Sequence, residues 1–161
     1  MLKLAHELNL GGEIVARIDK SKLTKLEIVR VASKMFLEKG YTNTSIKAIA
    51  NELEMSTGNL TFHFQTKEHM LAELVEMLIS FQWKLMAEEA EEGISSLLAV
   101  CLELMSMASA CEENEIARDF FISTYQSALS LQIIRRNDAE RSKKVYSEYC
   151  NNWTDEQFKE A

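Results

Sequence analysis

Thr57, Asn59, Thr61 and His63 fall within one seven-residue run, with Lys47 shortly before it and Lys67 shortly after it. Hydroxyl, carboxamide and imidazole groups at this density suit hydrogen bonding to a polar partner. Asparagine can pair bidentately with adenine, and threonine can meet a thymine methyl or a base acceptor. A helix that only packs would use stronger helix formers at these places. The run therefore reads as a recognition surface, with a bare packing hairpin as its alternative.

Other chemistries lack matching residues. His63 and His69 are separated by a helix break and have no metal-ligand spacing. Ser95 and Ser96 have no histidine near them in sequence, and there is no glycine-rich phosphate loop. The expectation is a protein that is not an enzyme, with no metal and no cofactor. Cys101, Cys111 and Cys150 lack Cys-x-x-Cys spacing and read as free thiols in a reducing cytoplasm. No run of about eighteen apolar residues occurs, so no membrane span is expected. The first residues, with Lys3, His6 and Glu7 among leucines, do not form a secretory signal.

The elements that must hold the polar run are helical. Proline is absent, glycines number five, and long apolar runs with a helical period dominate. The fold class is all-α. A helix is expected over 24–39, with Thr24 and Glu27 as a capping box and Gly40 as its stop. The next, over 45–52, is capped by Thr44. A third, over 57–63, is capped by Ser56 and turns Leu60 and Phe64 inward. Two short helices across a tight turn within 42–70 outline a helix-turn-helix, which places its second helix in the DNA major groove.

A long helix follows Thr66, with an apolar stripe of Met70, Leu71, Leu74, Met77, Leu78 and Phe81, and ends near Glu92. Residues 94–110 are apolar almost all round, with Glu103 the only charge, which predicts a centrally buried helix. Helices over 115–127 and 130–149 come next, and Thr154 to Gln157 form a second capping box. The cluster Arg135, Arg136, Arg141, Lys143 and Lys144 reads as a solvated helix face, with a second nucleic-acid patch as its alternative. Residues 1–22 form a tail, or an arm that reaches the minor groove through Arg17, Lys20 and Lys22.

The formal net charge of −7 is unevenly spread. Residues 71–161 carry eight basic and seventeen acidic side chains, whereas residues 23–70 carry six and five. A slightly positive head on an acidic body can meet a phosphate backbone, with a modest salt dependence.

Residues 24–71 resemble the N-terminal domain of TetR-type transcriptional regulators. The resemblance is carried by Ile28, Ala32, Phe36, Lys39-Gly40-Tyr41, Thr44, Ile46, Ile49-Ala50, Ser56, Gly58, Leu60, Phe64, Lys67-Glu68 and Leu71, in register without a gap. It implies a three-helix DNA-binding domain over 23–70. A long helix joins this to a helical ligand-sensing and dimerisation domain over 71–161, after an extension over 1–22. It further implies that Lys47, Thr57, Gly58, Asn59 and Thr61 face bases, while Thr44, Ser56, His63 and Lys67 hold phosphates. Glu54 stands where the family usually has a turn glycine, and Thr61 where it usually has tyrosine.

The implied partners are a double-stranded DNA operator, a small-molecule effector and a second copy of the chain, with repression as the mode of control. Met77, Trp83, Met86, Cys101, Met105, Met107, Phe121 and Tyr125 are the candidates for lining an effector pocket, because methionine and aromatic side chains adapt to irregular shapes. Ordinary core packing is the alternative for each. Family members usually end in two long helices that build the dimer, so either a shortened chain or a dimer that forms differently is expected here. A helical adaptor that keeps this shape without binding DNA is the competing function.

Overall fold

In a computed structural model that describes residues 20–91, 96–147 and 149–160, all regular elements among the described residues are helices. They are α1 (Lys20–Lys39), α2 (Ile46–Glu52), α3 (Thr57–His63), α4 (Lys67–Glu91), α5 (Ser96–Glu113), α6 (Glu115–Gln126), α7 (Ala128–Tyr146) and α8 (Asp155–Glu160). The all-α class and the three-helix head on a helical body are as expected. The segment before Lys20, including the expected arm residue Arg17, lies outside the described residues.

The head closes on one apolar cluster. Ile28, Ala32, Met35 and Phe36 of α1 meet Ile49 and Ala50 of α2, Leu60 of α3, Phe64, and Met70, Leu71 and Leu74 of α4. Phe120 of α6 belongs to the same cluster, so head and body share a core rather than hanging on a linker. The helix α4 runs out of this cluster and packs along α7, while α6 packs on α1.

Three departures from the sequence reading bear on the head and the core. The helix α1 already begins at Lys20, so Thr24 and Glu27 lie inside it rather than at its cap. A Thr-x-x-Glu spacing also fits a helix interior, and Lys20 to Leu23 carry nothing that breaks a helix. Ser45, not Thr44, caps α2, with its hydroxyl oxygen accepting from the Ala48 amide at 3.1 Å. Thr44 is buried instead, and its hydroxyl donates to the Gly40 carbonyl at 2.7 Å. The Thr154–Gln157 box is present, with the Thr154 amide donating to the Gln157 side chain at 2.8 Å.

The third departure is α5, which is not central. Leu98, Leu102, Leu104 and Met105 are exposed, Met105 to 69 %. The inward stripe is Ala99, Glu103 and Met107, spaced four apart, so the one charge within 94–110 points into the protein. It can do so because the Arg141 guanidinium forks onto both Glu103 oxygens and Gln82 donates to one of them at 2.7 Å. Hydrophobicity alone could not show that a partner cation on α7 would draw that face inward.

Candidate nucleic-acid interface

The short helix α3 is fixed at both ends of its sequence. The Ser56 hydroxyl oxygen accepts from the Asn59 amide at 3.1 Å, which satisfies one of the free N–H groups at the helix start. Leu60 is fully buried and anchors one side, and Phe64 follows it into the core. The opposite side carries Thr57, Gly58, Asn59 and Phe62, all exposed. Thr61 is half-buried and its hydroxyl donates to the Gly58 carbonyl at 3.1 Å. Part of its hydrogen-bonding capacity is therefore spent on its own helix. The exposed ring of Phe62 was not among the expected contacts. Its signal was available in the sequence, because a residue two after an anchored leucine points away from the core at ~3.6 residues per turn.

The turn before α3 has a left-handed residue at the position where the resemblance places a glycine. Glu54 sits at φ 52°, in the left-handed region where glycine is the usual occupant. Its amide donates to Asn51 O at 3.1 Å, and the amide of Met55 donates to Ala50 O at 3.0 Å, so the turn is closed despite the side chain. Gly40, at φ 88°, ends α1 in the left-handed conformation expected of it.

The expected phosphate contacts divide. Ser56 is exposed at the head surface, as is the expected base contact Lys47. His63 is half-buried, its ring edge-on to Phe62 at 5.3 Å, and its Nδ1 is buried with no hydrogen-bond partner among the described residues. Thr44 is occupied internally, as described above. Lys67 also turns inward. Its ammonium donates to the carbonyls of Tyr41 at 2.7 Å and Thr44 at 2.9 Å and lies 4.0 Å from the Tyr41 ring centroid. Burial lowers the Lys67 pKa from its ordinary value, against the pull of Asp119. Burial also pushes the Tyr41 phenol up to about 12, with Glu68 and Asp119 adding to it.

A contact from the body completes this corner. Asp119 of α6 accepts from the Thr42 amide at 2.9 Å and from the Thr42 hydroxyl. Burial alone would raise its carboxyl pKa. The Thr42 hydroxyl, the amides of Thr42 and Tyr41, and Lys67 together hold it below the usual aspartate value. A Cβ on Gly40 would come within 3.0 Å of the Asp119 carboxylate, so glycine also leaves room for this approach. The turn between α1 and α2 is thus held by the body as well as by the head.

Behind α6 lies a cavity of about 190 Å³ between α4, α5, α6 and α7. Phe121, Tyr125 and Met107 line it, together with Val75, Ile79 and Thr124. The Thr124 hydroxyl and the Arg141 Nε are buried without a hydrogen-bond partner among the described residues, and both residues belong to its wall. The other candidates lie elsewhere. Cys101 and Met105 stand on the exposed face of α5, Met77 packs against the head core, and Trp83 donates to Asn137 at 2.6 Å under the Lys144 ammonium. The Met86 side chain lies outside the described ones.

Residues 28–74 match the family model for bacterial regulatory proteins of the tetR family. Over this stretch the chain is similar to the tetR family. A curated relative, the HTH-type transcriptional regulator QacR of Staphylococcus aureus, is 38 % identical over 63 residues, which cover 37 % of this chain and 34 % of that protein. The alignable part thus spans about a third of that relative.

Solved structures extend the likeness in fold to the body. The FadR repressor of Thermus thermophilus, in complex with lauroyl-CoA, superposes with a TM-score of 0.63 at 13 % identity, over 84 % of this chain and 75 % of that one. A TetR/AcrR-family regulator from Thermobifida fusca gives 0.53 at 22 % identity, over 78 % and 69 %. Among the described residues no cluster of His, Cys, Asp or Glu could hold a metal ion, and no helix is long and apolar enough to cross a membrane.

Proposed function

We propose that the protein is a DNA-binding transcriptional regulator, acting as a repressor, whose head reads an operator and whose body responds to a small molecule. The observation that carries this is the outer face of α3. It presents Thr57, Asn59 and Phe62 to solvent on a helix anchored by Leu60, within the stretch that matches the tetR family model. Thr57 and Asn59 would face base edges, with Thr61 beside them. The missing side chain of Gly58 would let the backbone approach, and Lys47 would meet a base or nearby phosphate. Ser56 and His63 would hold phosphate oxygens. Lys67 and Thr44 would act one step back, by fixing the turn beside the backbone-contacting surface.

The body would couple to the head through two routes. Helix α4 contributes Met70, Leu71 and Leu74 to the head core and Val75 and Ile79 to the cavity wall. Helix α6 contributes Phe121 and Tyr125 to the cavity and Asp119 to the Thr42 turn. A molecule that fits the cavity only when α6 has shifted would loosen the Thr42–Asp119 contact and release DNA. It must bind the released form better, or the equilibrium does not move. The unpartnered Thr124 hydroxyl and Arg141 Nε support a ligand with hydrogen-bonding groups. Two copies of the chain would bring two heads onto a near-palindromic site, one DNA turn of ~34–36 Å apart, in the cytoplasm.

Selection of bound fragments from a random duplex pool tests the proposal. The expected result is an enriched near-palindrome whose binding weakens as salt rises. No enrichment, together with no salt-dependent retention of random DNA, would favour a helical adaptor, for which the acidic body is the supporting feature.

A further inference from the structure

Leu60 and Phe62 mark opposite poles of α3: Leu60 is 0 % exposed and Phe62 is 81 % exposed. At ~3.6 residues per turn, the direction opposite Leu60 falls between residues 58 and 62. Gly58 has no side chain, and a Cβ built there would meet nothing within 4 Å. The most outward side chain of the recognition helix is therefore a phenyl ring. Asn59 flanks it on one side and Thr61 on the other, and His63 meets its edge. This ring neither donates nor accepts a conventional hydrogen bond, so it contributes nothing to a polar contact with phosphate or with base heteroatoms. The one methyl group on a base edge in the major groove belongs to thymine, at C5.

We infer that Phe62 reads a thymine C5-methyl in the operator, so that one base position is specified by an apolar contact rather than by a hydrogen bond. This rests on the DNA-binding proposal above and adds to it a specificity-determining residue. Gly58, one turn earlier on the same pole, lets the helix backbone sit close to the groove floor, which brings the ring within reach of a base rather than stopping it at the sugars. Asn59 and Thr61 supply polar contacts on either side and fix the ring over one step.

The test uses the full chain and the operator obtained by selection. Each thymine is replaced in turn by deoxyuridine, which removes only the methyl. The expected result is one thymine per half-site where uracil weakens wild-type binding roughly fourfold, about what burying one methyl contributes. The Phe62→Ala variant should bind thymine and uracil duplexes equally there, while Asn59→Ala should keep the methyl dependence and lose discrimination at another position. Phe62→Leu, which retains an apolar side chain, should keep part of it. Thermal denaturation should leave all three variants as stable as wild type, because none of these side chains is buried.

Wild-type indifference to uracil at every thymine, or an unchanged uracil penalty in Phe62→Ala, overturns the inference while leaving DNA binding intact. A protein that enriches no duplex overturns both.

Discussion

Asn59 and Lys67 would both be drawn as DNA contacts from the sequence, yet they stand in different situations. Asn59 is exposed on α3, whereas the Lys67 ammonium is bonded to two carbonyls of the turn between α1 and α2. Replacing Asn59 with Ala is expected to lose ~1–3 kcal/mol of discrimination at one base position, read from affinities for single-base operator variants. Replacing Lys67 with Met should instead lower head stability by ~1.5–3 kcal/mol, the usual worth of hydrogen bonds to a charged group, measured by urea unfolding. Unchanged stability with a uniform loss of DNA affinity would return Lys67 to the phosphate role. Glu54→Gly should stabilise the chain by about 0.5–1 kcal/mol, because relief of a left-handed non-glycine outweighs the added freedom of the unfolded chain. A lower melting temperature in that variant would show that the Glu54 side chain does something the turn needs.

At the scale of elements, the three head helices and α4 were legible because their signals are local. Caps, a glycine stop and an apolar stripe all act within one or two turns of chain. The cap at Ser45 was missed because Thr44 offers the same chemistry one residue earlier, and only packing decides which hydroxyl goes inward. The exposed face of α5 was missed for a non-local reason, since its orientation depends on Arg141 meeting Glu103 across the sequence. The basic cluster split in the same way: Arg136 reaches Glu76 and Lys143 reaches Asp155, both at the surface, while Arg141 is mostly buried.

The Thr42–Asp119 contact was equally invisible, because it joins residues 77 apart. Its pH dependence follows from the sign of the shift. The Asp119 carboxyl is held below its usual value in the folded protein, so its contribution is present above the ordinary aspartate pKa. That contribution fades as pH falls through the lowered value. Urea unfolding of wild type and Asp119→Asn should therefore differ most near neutral pH and converge in acid. A difference that stays constant across that range would mean the ionised carboxylate is not what holds the turn.

For the whole molecule, an acidic body behind a head whose basic side chains outnumber its acidic ones by only one predicts weak non-specific binding and a shallow dependence on salt, about one logarithmic unit per phosphate neutralised. Specificity then has to come from the α3 face. The most direct test of that placement is dimethyl sulfate footprinting of the selected operator, which reports guanine N7 in the major groove and adenine N3 in the minor groove. Protection of guanine N7 in two patches one helical turn apart is the predicted result, with the patches lost in an α3 variant carrying Thr57→Ala and Asn59→Ala. Protection confined to adenine N3, or none at all on DNA that the protein demonstrably retains, would place some other surface on the duplex and contradict the assignment of α3.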